Sequence, residues 1–304
     1  MGDLLAMLVV AILWAGAFIA GKLSVATVPP EIVAFLRFSI AGVILLAAMA
    51  VWERPSLQVK RRDWPLILGL AATGIAAYNL LFFAGLRFSS ASDGAMIIPT
   101  LNPLLTLFLA APILGEKLTA RKLTGAGVAL AGQMLIFGTM FAAAAHDPAR
   151  LKGDLMCVVA ALFWSSYSIL GRIAAKRMTP LAATAWATAI GSVMLLPFAL
   201  YQLHGTSGYG GSFWGEVIYM AIGSTVIAFF LWSRGLQRLG ASRAAIFINL
   251  VPVFTLVLAA LLLGERPGSL QVLGMVMVLG GVYLVSTVAK PAAAPSVEIK
   301  GESA

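Results

Sequence analysis

The chain has little charge: Asp, Glu, Lys and Arg make up 11% of its 304 residues, against 61% hydrophobic. So few charges cannot cover the surfaces of two soluble domains, the ordinary expectation for this length. Cysteine is nearly missing. Cys157 is the single one and lies inside an apolar run, which excludes an intrachain disulfide and a thiolate metal cluster and leaves the redox compartment unread. Histidine occurs twice, as His146 and His204, both between apolar runs. With no base near a nucleophile and no clustered ligands, hydrolase and metalloenzyme chemistry have no support. No enzyme activity, metal or cofactor is expected. All twelve Asp and Glu residues fall outside the middle of the apolar runs, and Arg37 is the one clearly embedded charge. The repeated embedded arginines of a voltage sensor are absent.

What is abundant is apolar sequence in long runs. Five cover residues 4–25, 31–51, 64–86, 92–114 and 121–142; five more cover 154–175, 180–202, 214–236, 242–263 and 269–289. At about 1.5 Å per residue each reaches across a hydrocarbon core of about 30 Å. The fold class expected is an all-α membrane protein of ten transmembrane helices. The first run has no Lys or Arg before it and reads as a retained span. Residues 290–304, rich in Pro and Ala and then polar, read as a disordered tail. The formal charge of +9 fits cytoplasmic loops that retain Lys and Arg for insertion, so no nucleic-acid partner is expected.

The two sets of runs are copies. An offset of 150 takes Trp14 to Trp164, Gly21 to Gly171, Pro30 to Pro180, Trp64 to Trp214 and Gly85 to Gly235. An offset of 149 then takes Pro103 to Pro252 and Leu114-Gly115-Glu116 to Leu263-Gly264-Glu265. The expected units are a repeat at 1–145 and a second at 150–289. Each holds five spans, an odd number, so the second enters the bilayer from the opposite side. Loop charge agrees: with Arg37 left in its span, 15 Lys and Arg fall on one face and 5 on the other. The rich face is cytoplasmic by the positive-inside rule, which puts both termini inside. Inverted repeats can exchange conformations and open alternately to either side, so the duplication points to transport.

The motifs WAGAFIAGK at 14–22, NPLLTLFLAAPILGE at 102–116 and VPVFTLVLAALLLGE at 251–265 resemble the EamA-type transporters of the drug/metabolite transporter superfamily over essentially residues 3–288. Within that superfamily the chain is most similar to the bacterial YddG-type amino-acid exporters. The resemblance implies a cavity lined mainly by spans 1, 3, 4, 6, 8 and 9, with 5 and 10 peripheral. It implies export of neutral or aromatic amino acids and related small metabolites across a bacterial inner membrane. A drug or other metabolite exporter of the same superfamily, with or without proton coupling, is the alternative reading. The partners implied are a small-molecule substrate and the lipid bilayer. Oligomeric state is left open, and a monomer is compatible.

Site candidates follow from depth and face. Trp14 and Phe18 are four apart on span 1, and Trp164 and Ser168 are four apart on span 6, with Ser165 adjoining. Both tryptophans lie about ten residues into their spans, away from the interfaces where anchoring Trp belongs. They read either as aromatic walls around an apolar substrate side chain or as ordinary helix packing. Tyr78 and Asn79 stand at mid-depth where the second repeat has Ala228 and Phe229, giving one side of the pocket polarity. Asn79, Asn102 and Asn249 can hydrogen-bond an ammonium or carboxylate group, or can bond between helices. Pro99, Pro103 and Pro252 free backbone carbonyls and serve as hinges or kinks. Glu116 and Glu265, in the repeated Gly-Glu, read as helix stops or gate residues. Arg37 either attracts a carboxylate or snorkels to the interface. With no acid or imidazole in mid-span, uniport or exchange is the expected mechanism.

Overall fold

The computed structural model describes residues 2–114, 120–144, 147–202, 209–239 and 247–286. Among these there is no strand, and the helices assemble into ten rods. Lipid offers no partner for backbone N–H and C=O groups, so a spanning chain that satisfies its own is the form expected. In chain order the rods are α1 (Gly2–Thr27), α2 (Pro30–Trp52), α3 (64–88), α4 (Ala91–Leu114), α5 (Ala120–Ala144), α6 (Pro148–Ala174), α7 (Pro180–Gln202), α8 (211–239), α9 (Leu250–Leu262) and α10 (Ser269–Ser286). Six of them, α1, α2, α3, α6, α7 and α8, contain stretches long and apolar enough to cross a bilayer by length and composition; α9 and parts of α5 and α10 are shorter apolar helices. Glu116 and the tail at 290–304 lie outside the described residues.

α6 begins at Pro148, six residues ahead of its apolar run at 154. Its first turns carry Arg150 and Lys152, which lower hydropathy without breaking the helix. Pro148 suits the first helical position, and the Asp147 carboxylate accepts from the Arg150 backbone N–H at 3.2 Å.

Packing follows the repeat. In the first half α6 lies along α3 and α4; in the counterpart set α1 lies along α8 and α9, so each repeat places its first helix in the other. The positions 150 apart do equivalent work. A Cβ at Gly85 would stand 2.7 Å from Cys157 Sγ, and Gly235 is filled in the same way by Met7. The α5–α10 pair shows the inversion directly. A Cβ at Gly132 would lie 2.5 Å from the Gly274 carbonyl oxygen, while Gly281 abuts the Gly125 carbonyl. As the chain advances along α5 its contacts retreat along α10, so these equivalent helices run antiparallel. Lipid supplies no hydrophobic drive for helix association, and such close backbone approach over small residues takes its place. The fold is therefore two inverted five-helix repeats, with α5 paired with α10, α2 with α7, and α1 touching α3 and α4 of its own repeat and α8 and α9 of the other.

Two rods are interrupted in the same register. Ala71–Ala77 in α3 and Tyr219–Ile227 in α8 wind as π-helix. The wider turn leaves carbonyls without their usual donors. Side chains supply them: Asn79 Nδ2 donates to the carbonyls of Gly74 (3.1 Å) and Ile75 (3.0 Å), and Ser224 and Thr225 hydroxyls both donate to the Met220 carbonyl.

Candidate functional site

The centre of the bundle is aromatic and is built by both repeats. Trp14 of α1 lies 5.4 Å from Trp232 of α8, ring centroid to ring centroid, and its indole N–H donates to the Ser224 carbonyl at 3.1 Å. That bond meets the need of a mid-depth tryptophan for an acceptor. Across the centre, Trp164 of α6 lies 4.8 Å from Tyr78 of α3 and 5.1 Å from Tyr167. Phe82 stacks on Tyr78 and meets Phe18 edge to face at 5.2 Å, which ties the α3 aromatics to α1, the helix that carries Trp14. Trp14, Tyr78, Trp164 and Trp232 are only partly buried, unlike Phe18 and Phe82.

The polar candidates divide. Asn102 of α4 receives the Ser165 hydroxyl at 2.9 Å and the Thr106 hydroxyl at 3.2 Å on its side-chain oxygen, which ties α4 to α6. Ser168 donates to the Trp164 carbonyl one turn back. Asn79 is 1% exposed and spends both amide N–H groups on the π-turn of its own helix, leaving Oδ1 without a partner. Asn249 sits just ahead of α9, half-buried, and makes no capping bond. Pro99 and Pro103 lie within α4 and Pro252 near the start of α9. Two surface grooves lie apart from the aromatic centre. One of about 490 Å³ runs among α1, α8 and α9 and includes Gly16, Glu216 and Tyr219; one of about 370 Å³ runs between α3 and α6.

One end of the bundle, marked by Lys22, is sewn shut. The Glu265 carboxylate, in the turn between α9 and α10, accepts from the backbone N–H of Ala91 (2.9 Å) and Ser92 (2.8 Å), the first turn of α4. These amides have no intrahelical partner, and the helix dipole favours an anion there. Lys22 donates to the Leu86 carbonyl at 2.7 Å, Arg150 pairs with Asp93 at 2.6 Å, and Gln271 reaches the same carboxylate. Ser89 donates to Asp154, and Ser24 to Glu216 at 2.7 Å. Asp93 and Asp154 are 1% and 3% exposed. At the opposite end the ion pairs are rim contacts: Asp63 with Arg177, and Asp3 with Arg234 and Arg238, through arginine side chains 45–58% exposed. Pairs that wet contribute little.

A family model for "EamA-like transporter family" matches residues 1–138 and 151–287, one match for each repeat. The chain belongs to the EamA-like transporter family. It is 31% identical over 273 residues to the uncharacterized transporter YyaM of Bacillus subtilis, covering 89% of each protein. It is 26% identical to the aromatic amino acid exporter YddG of Ancylobacter novellus, covering 92% of this chain and 95% of that one. A crystal structure of a protein 24% identical superposes with a TM-score of 0.67 over 95% of this chain and 97% of the other, and so shares the fold. The protein is a multi-pass membrane transporter of small molecules and not an enzyme.

Several residues at the transporter's centre escape sequence reasoning. Trp232 has no aromatic equivalent that the 150 offset would flag as a tryptophan; its counterpart is Phe82, and together they face Trp14 and Phe18. Tyr219 donates to the Leu13 carbonyl at 3.0 Å, holding α8 to α1. Arg37 does not snorkel. It is 9% exposed and hydrogen-bonds the Ser224 and Thr225 hydroxyls of the α8 π-turn.

Proposed function

We propose that this transporter exports aromatic and other neutral amino acids and related small metabolites from a bacterial cytoplasm across the inner membrane, by alternating access. The observation that carries this reading is that each repeat's first helix sets a partly buried tryptophan against an aromatic ring of the other repeat, Trp14 against Trp232 and Trp164 against Tyr78. An apolar or aromatic side chain fits between such faces, and the repeats at 1–145 and 150–289 rock about it. Trp14, Phe18, Tyr78, Trp164 and Ser168 contact the substrate side chain, while Asn79 Oδ1, Asn102, Ser165 and Asn249 serve its polar end. Pro99, Pro103 and Pro252 act as hinges. Glu265 gates the Lys22 end and Glu116 the opposite one. The Lys22 end faces outward, the termini inward, and residues 290–304 trail in the cytoplasm. The similarity to an aromatic amino acid exporter supports the substrate class.

Proteoliposomes loaded with unlabelled L-phenylalanine should take up labelled L-phenylalanine by saturable, stereoselective counterflow; linear, non-selective leakage would make the protein a pore. Substrate panels that favoured drugs or other metabolites over amino acids would select the alternative reading. Uniport or exchange further requires that an imposed pH gradient concentrate nothing. Proton coupling is the second reading, and Asp154 favours it: a buried carboxylate with one oxygen unpartnered can load a proton. Uphill accumulation driven by pH would decide for it.

A further inference from the structure

Arg37 is a cation buried in an apolar bundle with no carboxylate against it among the described residues. The transporter's other buried or end-of-helix ionic contacts show what the usual solution is. Arg150 has Asp93, Arg177 has Asp63, and Arg234 and Arg238 share Asp3. Arg37 has only neutral neighbours. Its Nε and Nη2 donate to the Thr225 hydroxyl at 3.2 Å, and Nη2 also to the Ser224 hydroxyl at 3.3 Å. Its guanidinium lies over the Phe38 ring at 4.8 Å and near that of Phe83 at 5.9 Å. A guanidinium carries five N–H donors, and the two on Nη1 meet no acceptor among the described residues. Hydroxyl bonds and ring faces hold the group in place but do not neutralise it, and an unpaired charge in a membrane interior is costly.

Its position adds the second half. Ser224 gives its hydroxyl to Arg37 as acceptor and its carbonyl to the Trp14 indole, so the cation and the aromatic face flank one residue of the π-turn. The Phe83 ring near the guanidinium meets Phe82, which stacks on Tyr78, and Tyr78 is in ring contact with Trp164. We infer that Arg37 binds the carboxylate of the transported molecule, so that the substrate class is an aromatic or apolar carboxylate, held by its acid group on α2 and α8 and by its side chain among the aromatic rings. Planar, paired N–H donors suit a carboxylate, and a group fixed beforehand by two hydroxyls loses little freedom on binding.

The inference rests on the amino-acid reading above and is tested so that the two can fail separately. Counterflow of labelled L-phenylalanine is measured in proteoliposomes against L-phenylalaninamide and phenethylamine, which lack the carboxylate, and 3-phenylpropionate, which keeps it. In the unaltered transporter the carboxylate-lacking compounds should compete about 10-fold to 100-fold more weakly than L-phenylalanine, the range for a charge-assisted bond, whereas 3-phenylpropionate competes. Arg37→Gln should raise KM for L-phenylalanine by a similar factor and leave the weak competition by the amide unchanged; Arg37→Lys should restore part of the preference. Equal competition by acid and amide in the unaltered protein overturns the inference while amino-acid transport stands. A variant that loses both ligands in the same proportion also overturns it, because that is the mark of a purely structural arginine. If Arg37→Gln does not fold, the Arg37→Lys variant and the unaltered protein's competition series decide on the same criteria. No transport of L-phenylalanine at all defeats the amino-acid reading, and the inference with it.

Discussion

Glu265→Ala should release the Lys22 end of the transporter and shift its conformational balance by about 3 kcal/mol, or roughly 100-fold, the scale of two hydrogen bonds to a charged group. The glutamate takes the free amides of Ala91 and Ser92, so it joins the α9–α10 turn of one repeat to the start of α4 in the other. Removing it leaves those amides and the positive end of the α4 dipole unpaired at a point where the repeats must separate if this end opens. Ser92 reports the event, because it is 3% exposed and its hydroxyl is unpartnered. A cysteine at position 92 should resist a membrane-impermeant maleimide while Glu265 is present and react readily in the Glu265→Ala background. The native Cys157 is buried and should stay silent. Glu265→Gln, which keeps one oxygen acceptor, should fall between. Unchanged protection of position 92 in Glu265→Ala would reduce Glu265 to a helix stop.

Trp164→Ala should lower counterflow of L-phenylalanine and L-tryptophan about 30-fold while leaving that of L-alanine within about 3-fold, the loss of one dominant contact of about 2 kcal/mol. Trp164 is partly buried and touches Tyr78 and Tyr167. Deleting a ring that only packed helices would cost folded protein and affect all substrates alike. Size-exclusion profiles in detergent separate the cases: the substrate-wall reading requires a monodisperse, folded yield close to that of the unaltered transporter. Trp164→Phe should recover most of the aromatic preference.

Much of the fold was legible because a duplicated chain states its packing twice. The offset that relates Gly85 to Gly235 identifies two positions where a side chain from the first helix of the other repeat, Cys157 or Met7, fills the space a Cβ would take. Trp14 and Trp164 stand out by depth, by helix face and as repeat equivalents, and both meet aromatic partners. What stayed hidden belongs to three-dimensional neighbourhood. The π-turns leave no mark in hydropathy, and Asn79, which reads in sequence as bonding either substrate or another helix, uses its amide to satisfy one of them. Asp93 and Asp154 lie near helix starts, where a linear profile reads them as wetted, yet they are buried because Ser89, Arg150 and Gln271 close over them. Arg37 had two destinies in a linear reading. The hydroxyls of Ser224 and Thr225, nearly 190 residues away, decide for the interior.

Alternating access requires a single site, shared by the inverted repeats, that opens to one side at a time. A cysteine at Ser168, a half-buried position one turn from Trp164, tests it most directly. With impermeant maleimide applied separately to the inside and the outside of oriented vesicles, position 168 should react from both faces, and L-phenylalanine should protect it from either. Reaction from one face alone under every substrate gradient, or labelling that L-phenylalanine does not slow, would contradict alternating access through this site.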